Sequence, residues 1–227
     1  MARRVIHGVI FDWNGTLLND AKTFYVHGLI PALEARGVDM RQYASAEGYE
    51  QLRFQFSMLG PTKYVRMVAM QHGLEIDWSA DIQPALKDYL RDKRSRLANG
   101  SKHVLEQLRA SHVPLALVSG MASDPFEVDV TSRSLERYFR MRRGGISHKT
   151  ASVRSFISRV GCDPHRILCV SDIQKDLQEF LKAGCFTVGY TGGYGNVESL
   201  LEAEPHEIIH NIGELLDLAE FRPVDWS

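Results

Sequence analysis

The chain is poor in cysteine, almost uncharged overall, and without a long apolar run. Each shortage removes a class of protein. Cys162, Cys169 and Cys185 are the only 3 cysteines in 227 residues. Their number is odd and no two form a Cys-x-x-Cys pair, so neither a disulfide framework nor a thiol-redox motif is expected. They read as reduced core thiols of a cytoplasmic protein. The 9 histidines occur neither as His-Glu-x-x-His nor at another zinc spacing. A net charge of -1 argues against a nucleic-acid or membrane-surface partner held by bulk electrostatics. No apolar run reaches the roughly 20 residues that span a bilayer. Arg3 and Arg4 precede only a short apolar run that ends in an acid, which reads as a strand rather than a signal peptide. There is no internal repeat, low-complexity segment or disordered linker. What is left is a soluble chain long enough for one or two domains with a full core.

That first apolar run, Val5-Ile6-His7-Gly8-Val9-Ile10-Phe11, reads as a buried strand. Asp12 follows at its C-terminal tip, and Gly15-Thr16 comes soon after. In open α/β sheets ligands bind at that edge. Asp12 is therefore a candidate nucleophile or metal ligand, or else an acid capping the loop after the strand.

Strand signals then stop. Residues from about Asp20 to Leu97 look helical. One helix is expected over Ala21 to Arg36, kinked or broken at Pro31 and ended by Gly37. A second is expected over Pro61 to Gln71, with proline in its first turn and Gly73 beyond its end. A third is expected from Ser79 or Pro84 to Arg94. From Ser101 on, helices at 101–110, 123–138, 150–160, 175–183 and 212–220 alternate with strands at 114–118, 166–171, 185–190 and 207–210. Such alternation predicts an α/β fold with a parallel sheet covered on both faces. The expected division is a core of residues 1–19 and 98–227, with 20–97 as a helical insert.

Three further segments carry chemistry-bearing residues at element ends. Pro114 to Val118 ends in Ser119-Gly120. Gly144-Gly145-Ile146-Ser147-His148-Lys149 leads into a helix. Ile167 to Val170 ends in Ser171-Asp172, with Asp176 four residues on. Taken singly, each has a structural alternative: Ser119 as a turn former, Lys149 as a solvated lysine, Asp172 as a helix N-cap.

Asp12-Trp13-Asn14-Gly15-Thr16-Leu17, Ser119, Lys149 and Asp172 with Asp176, in that order, resemble the four motifs of the haloacid dehalogenase-like superfamily, mostly phosphatases. The likeness runs from end to end and is nearest to phosphoglycolate phosphatase-like enzymes in insert length and in the loop Thr191-Gly192-Gly193-Tyr194-Gly195. It implies a Rossmann-like core, a small helical cap over 20–97, and a small phosphorylated substrate. Asp12 would be the nucleophile that forms an aspartyl-phosphate. Mg²⁺ would bind Asp12, Asp172 and the backbone carbonyl of Asn14, with Asp176 supporting that shell through water or orienting Lys149. Lys149 would supply fixed positive charge, and Ser119 with the Gly120 amide would hold a phosphoryl oxygen. Arg53 and Lys63, flanking an expected loop from Phe54 to Pro61, are candidate substrate contacts. Oligomeric state is left open.

One position departs from the pattern. The family's first motif has a second Asp where this chain has Asn14. That Asp protonates the leaving alcohol and then activates water. Asn hydrogen-bonds but exchanges no proton in this range. The departure leaves room for a slow phosphatase, for different chemistry, or for a binder of phosphate compounds. Phosphonoacetaldehyde hydrolases share the Trp13 position but need a cap lysine for a Schiff base, a role only Lys63 is placed to take. Dehalogenases lack the acid that Asp172 supplies. Arg140, Arg142 and Arg143 are a solvated edge or an anion attractor. Arg91 to Arg96 is a solvated charge run. Gly192 to Gly195 is not a dinucleotide fingerprint.

Overall fold

The computed structural model describes residues 3–86 and 95–224. The core is a six-stranded parallel sheet in the order β6-β5-β2-β7-β8-β9. Its strands are β2 (Gly8–Phe11), β5 (Leu115–Val118), β6 (Met141–Arg143), β7 (Ile167–Ser171), β8 (Phe186–Tyr190) and β9 (Glu207–Ile209). The central strands are buried along their whole length, as parallel strands with both faces covered must be. Their side chains alternate between two apolar clusters. Val9, Phe11, Leu115, Leu117, Leu168 and Val170 point to one; Ile10, Ala116, Val118, Ile167 and Cys169 point to the other. Cys185 joins the second cluster, and all 3 cysteines are free thiols.

Strand order reverses at β2, which pairs with β5 on one side and β7 on the other. A parallel sheet opens a crevice at such a switch point, beyond the strands' C-terminal ends. Asp12, Ser119 and Asp172 each follow directly on one of these three strands.

The insert leaves and rejoins the core through a two-stranded antiparallel ribbon, β3 (Leu18–Asn19) with β4 (Arg96–Leu97). Between them lie helices with their own apolar cluster, including Tyr25, Leu29, Leu33, Leu52, Phe56, Tyr64 and Val68. Pro31 has no N–H to continue an α-helical ladder. The chain answers with a π-helical turn at Tyr25–Leu29 between helical segments Ala21–Phe24 and Ile30–Glu34. The expected third insert helix begins with a π turn at Trp78–Ile82. Its continuation from residue 87, and the charge run at 91–94, lie outside the described residues.

Several expectations are corrected. Phe54 to Pro61 is not a loop. Ser45 caps a helix over Ala46–Leu59 by accepting from the Gly48 amide, and Leu52 and Phe56, one turn apart, bury its inner face. The helix expected over 123–138 stops at Ser132; Ser134 takes a φ of 56°, and a 3-10 turn follows at Glu136–Tyr138. The arginine-rich stretch Met141–Arg143 is an edge strand. The first apolar run breaks at His7, so that β1 (Arg4–Ile6) pairs instead with β10 (Ala219–Phe221). That pairing takes the end of the helix expected over 212–220, leaving a 3-10 turn Ile212–Glu214 and a short helix Leu215–Leu218. Among the described residues no helix is long and apolar enough to cross a membrane.

Candidate active site

Asp12 is only 4% exposed at the tip of β2. The adjoining loop is anchored by Trp13, whose buried indole donates to Asp129 Oδ2 at 3.1 Å. Lys149 reaches Asp12 from the start of the helix Thr150–Val160. Its Nζ lies 2.7 Å from Asp12 Oδ1 and 2.6 Å from Asp176 Oδ2. Ser171 Oγ lies 3.3 Å from Asp12 Oδ2 and 3.2 Å from Asp176 Oδ2, so its single proton serves one of them at a time. Burial works against the charge of Lys149, but Asp12 and Asp176 together outweigh it and hold the amine protonated above the ordinary lysine range. Burial raises Asp12 to about 6; Lys149 opposes that rise and Asp176 adds to it.

The Lys149 loop is itself fixed from the helix Gln174–Lys182, which also carries Asp176. Glu179 accepts from the Thr150 amide at 3.1 Å and sits 3.1 Å from His148 Nδ1, while Lys175 Nζ donates to the Ser147 carbonyl at 2.8 Å. Gly145, at a φ of 70°, provides the left-handed turn that starts this loop.

Asp172 is fully buried beyond β7. The Thr16 hydroxyl donates to Oδ1 at 2.5 Å and the Tyr194 amide to Oδ2 at 2.7 Å. Both donors are neutral. Burial, then the charge of Asp12, raises Asp172 to about 8 against those two bonds. Gly15 and Gly193 press on this carboxylate: a Cβ at either would stand 2.2 Å from Asp172 Oδ2.

Ser119 is buried at the tip of β5 and donates toward Asn14 Oδ1 at 3.4 Å, while the Met121 amide donates to its hydroxyl. Gly120 follows, exposed. The other end of the Asn14 amide is taken by a residue that motif reading passes over. Asn14 Nδ2 donates to Asp20 Oδ2 at 2.8 Å, and the Gly15 amide donates to Asp20 Oδ1 at 2.7 Å. Asp20 is 2% exposed. Burial raises its pKa, opposed by Asn14, Gly15 and the hydroxyl of Tyr194. The signal in the sequence was an acid at the mouth of the insert, six residues past an Asn that stands where an acid is usual.

The structure thus brings Asp12, Asn14, Ser119, Lys149, Asp172 and Asp176 into one linked cluster. It does not bring Arg53 or Lys63 there. Arg53 Nη2 is taken up by the Thr191, Gly193 and Gly195 carbonyls, and Nη1 by Glu50. Lys63 is exposed in the first turn of the helix Pro61–Gln71.

Among the described residues, no three His, Cys, Asp or Glu side chains form a ready-made metal cage. Mg²⁺ does not require one. It binds through one or two carboxylates and completes its shell with water and substrate phosphate. Asp12 and Asp172, hard oxygen donors that repel each other in a buried site, fit that mode.

The site is thus a buried carboxylate at a parallel-sheet switch point, paired with a lysine and faced by a second acid. Residues 6–184 match the family model for haloacid dehalogenase-like hydrolase, and the chain belongs to that family. It is 24% identical over 217 residues to the phosphoglycolate phosphatase of Synechococcus elongatus, covering 93% of this chain and 96% of that protein. It is 25% identical over 228 residues to the phosphoglycolate phosphatase of Yersinia pestis, covering 94% and 93%. A solved structure of a predicted phosphoglycolate phosphatase from Haemophilus somnus superposes with a TM-score of 0.69 at 23% identity, over 93% of this chain and 97% of that one. The protein is a hydrolase related to phosphoglycolate phosphatases.

Proposed function

We propose that the protein is a Mg²⁺-dependent phosphoric monoester hydrolase acting on a small phosphorylated metabolite through an aspartyl-phosphate on Asp12, with residues 20–97 as its cap. The observation that supports this most is the Asp12–Lys149 pair, 2.7 Å apart and buried. A carboxylate held by a fixed cation at a sheet edge is oriented for attack, and the cation offsets charge as it develops on the phosphoryl group.

In the first step an Asp12 carboxylate oxygen forms a bond to phosphorus, and the bond from phosphorus to the alcohol oxygen breaks. In the second, water displaces the carboxylate and releases inorganic phosphate. Lys149 holds Asp12 in place and carries positive charge toward the transferring group. Ser119 and the Gly120 amide donate to a phosphoryl oxygen. Asp176 keeps Lys149 aimed. Asp12, Asp172 and the Asn14 carbonyl would hold Mg²⁺, whose chemistry there is to offset the repulsion between carboxylate and phosphate. Asn14 cannot give the leaving oxygen its proton, so substrates with acidic leaving groups are favoured.

Lys63 is exposed, and no contact among the described residues ties it to the Asp12 cluster, so the carbon–phosphorus reading draws no support from the geometry. The test is a hydrolysis screen across phosphoglycolate, sugar phosphates and nucleotides, with and without Mg²⁺. Release of phosphate in the presence of Mg²⁺, lost in Asp12→Asn, is the expected result. Binding of these compounds with no turnover of any would replace the enzyme reading with that of a binder.

A further inference from the structure

The loop Thr191–Gly195 joins the helical insert to Asp172 in a way that phosphoryl chemistry alone does not require. Its inner side holds the acid. The Tyr194 amide donates to Asp172 Oδ2 at 2.7 Å, and the Gly195 amide donates to the Asp172 carbonyl at 3.0 Å. Gly193 allows the close approach, since a Cβ there would overlap the carboxylate. Its outer side belongs to the insert. Arg53, on the helix Ala46–Leu59, sets Nη2 among three of the loop's carbonyls, at 2.7 Å from Thr191, 2.9 Å from Gly193, and in contact with Gly195. Its side chain is 11% exposed. Tyr25 donates to the Tyr194 carbonyl at 3.1 Å. The Tyr194 ring stands edge-on to Phe24 and Tyr25, with centroids 5.2 and 5.7 Å away.

A guanidinium facing three carbonyls makes strong, direction-dependent bonds. Because those carbonyls belong to one short loop, they fix where the Tyr194 and Gly195 amides point. The insert's two strands of connection to the core, β3 and β4, form only a two-residue ribbon, so the rest of its seating rests on contacts such as these. The acid that the loop holds is one of the two proposed cation ligands.

We propose that Thr191–Gly195 is a coupling element: Arg53 clamps it against Asp172, so that seating of the helical insert and binding of a divalent cation at Asp172 favour each other. Arg53 is a positioning residue in this scheme, and its guanidinium is committed to the loop rather than to substrate phosphate. The inference rests on the proposed reading of Asp172 as a cation ligand. Coupling of two equilibria is reciprocal. Loosening the clamp must weaken the cation, and adding the cation must tighten the clamp.

The experiment measures Mg²⁺ binding by calorimetry and amide hydrogen exchange across residues 191–195, with and without Mg²⁺, in wild type, Arg53→Ala, Arg53→Lys and Tyr25→Phe. In wild type, Mg²⁺ should slow exchange of the Tyr194 and Gly195 amides. Arg53→Ala should lower Mg²⁺ affinity by about 10-fold, the low end of the range for residues that orient metal ligands, and should remove the Mg²⁺-induced protection. Arg53→Lys keeps the charge but loses the planar fork, and should recover part of both. Tyr25→Phe loses one hydroxyl, keeps the packing, and should lower affinity by about 2-fold. Wild-type Mg²⁺ affinity and wild-type protection in Arg53→Ala would overturn the coupling while leaving the hydrolase reading in place. No Mg²⁺ binding in wild type would overturn both.

Discussion

Changing Asn14 to Asp tests whether Asn14 and Asp20 act as one unit. The Asn14 amide now gives Asp20 a donor at 2.8 Å, in a place where Asp20 is 2% exposed. A second carboxyl there replaces the donor with an acceptor. With charge centres about 4 Å apart and an effective dielectric of about 20, two carboxylates repel by about 4 kcal/mol. Loss of the buried hydrogen bond adds about 1 kcal/mol. The pair escapes most of the repulsion by keeping one proton, which lifts one carboxyl pKa by about 3 units, since each unit corresponds to about 1.36 kcal/mol. The folded variant then holds a proton that its unfolded chain releases above the ordinary carboxyl range. Stability must therefore fall as pH rises from about 4 to about 7. Urea denaturation should show Asn14→Asp about 1 kcal/mol less stable than wild type at pH 4.5, and about 5 kcal/mol less stable at pH 8.

The reversed pair, Asn14→Asp with Asp20→Asn, keeps one carboxyl and one amide, and the new side chain at 20 still offers the Gly15 amide a carbonyl. It should regain at least about 2 kcal/mol at pH 8 relative to the sum of the single changes. Additivity within about 0.5 kcal/mol would refute the pairing. The same samples report on chemistry. A protonated carboxyl at position 14 restores a donor for the leaving oxygen, a device that contributes about 10²–10⁴-fold in enzymes. The gain should be larger for an alkyl phosphate than for p-nitrophenyl phosphate, whose leaving group needs little help. Loss on every substrate in both variants would mean that Asn14 is suited to a different reaction.

Further outcomes follow from the same site. Asp12→Asn should leave the fold intact and reduce phosphate release by at least about 10³-fold; activity within tenfold of wild type would remove Asp12 as nucleophile. Asp172→Ala should weaken Mg²⁺ binding at least about 10-fold more than Asp176→Ala, since Asp176 is already committed to Lys149; equal losses by calorimetry would contradict that division. Burial and Asp12 raise Asp172 from 3.8 to about 8 without metal, so the folded protein binds a proton that the unfolded chain has lost. Metal-free stability should fall, and Mg²⁺ affinity rise, as pH climbs from about 5 to about 8; affinity flat across that window would refute the shift. Lys149→Ala leaves Asp12 and Asp176 buried without their cation, and should cost about 3–5 kcal/mol in denaturation; a loss under about 1 kcal/mol would show that water already screens the pair.

The sheet and the edge that carries Asp12 and Asp172 are legible because each rests on a local signal. Val5 to Phe11 and Ile167 to Val170 are apolar runs ending in an acid, and alternation with helices fixes their parallel pairing. What was not legible depends on distant partners. β10 forms because β1 offers it an edge 215 residues earlier in register, at Arg4 opposite Ala219; nothing within 212–220 announces it. Met141–Arg143 reads as a charged edge because an edge strand needs only one buried side. The helix Ala46–Leu59 is hard to see in sequence because its buried residues are few, at Gly48, Leu52 and Phe56, and Tyr49 and Phe54 blur the apolar face. Arg53, expected as a substrate contact, bonds the carbonyls of Thr191, Gly193 and Gly195. A basic residue in the insert looks the same in sequence whether it faces an anion or backbone carbonyls.

The same limit explains why Asn14 looked like a loss. A motif is read position by position, so an amide in place of an acid counts as an acid removed. The folded chain counts differently. The ribbon that opens the insert turns Asp20 back over Gly15 and Asn14, and the carboxyl lies one hydrogen bond from the place where the motif expects it. Asn14 is then the donor that a buried Asp20 requires, and Asp20 fixes the amide so that Oδ1 faces Ser119. The site has kept an amide and a carboxyl in contact, and reversing them is a sharper question to put to it than restoring one missing acid.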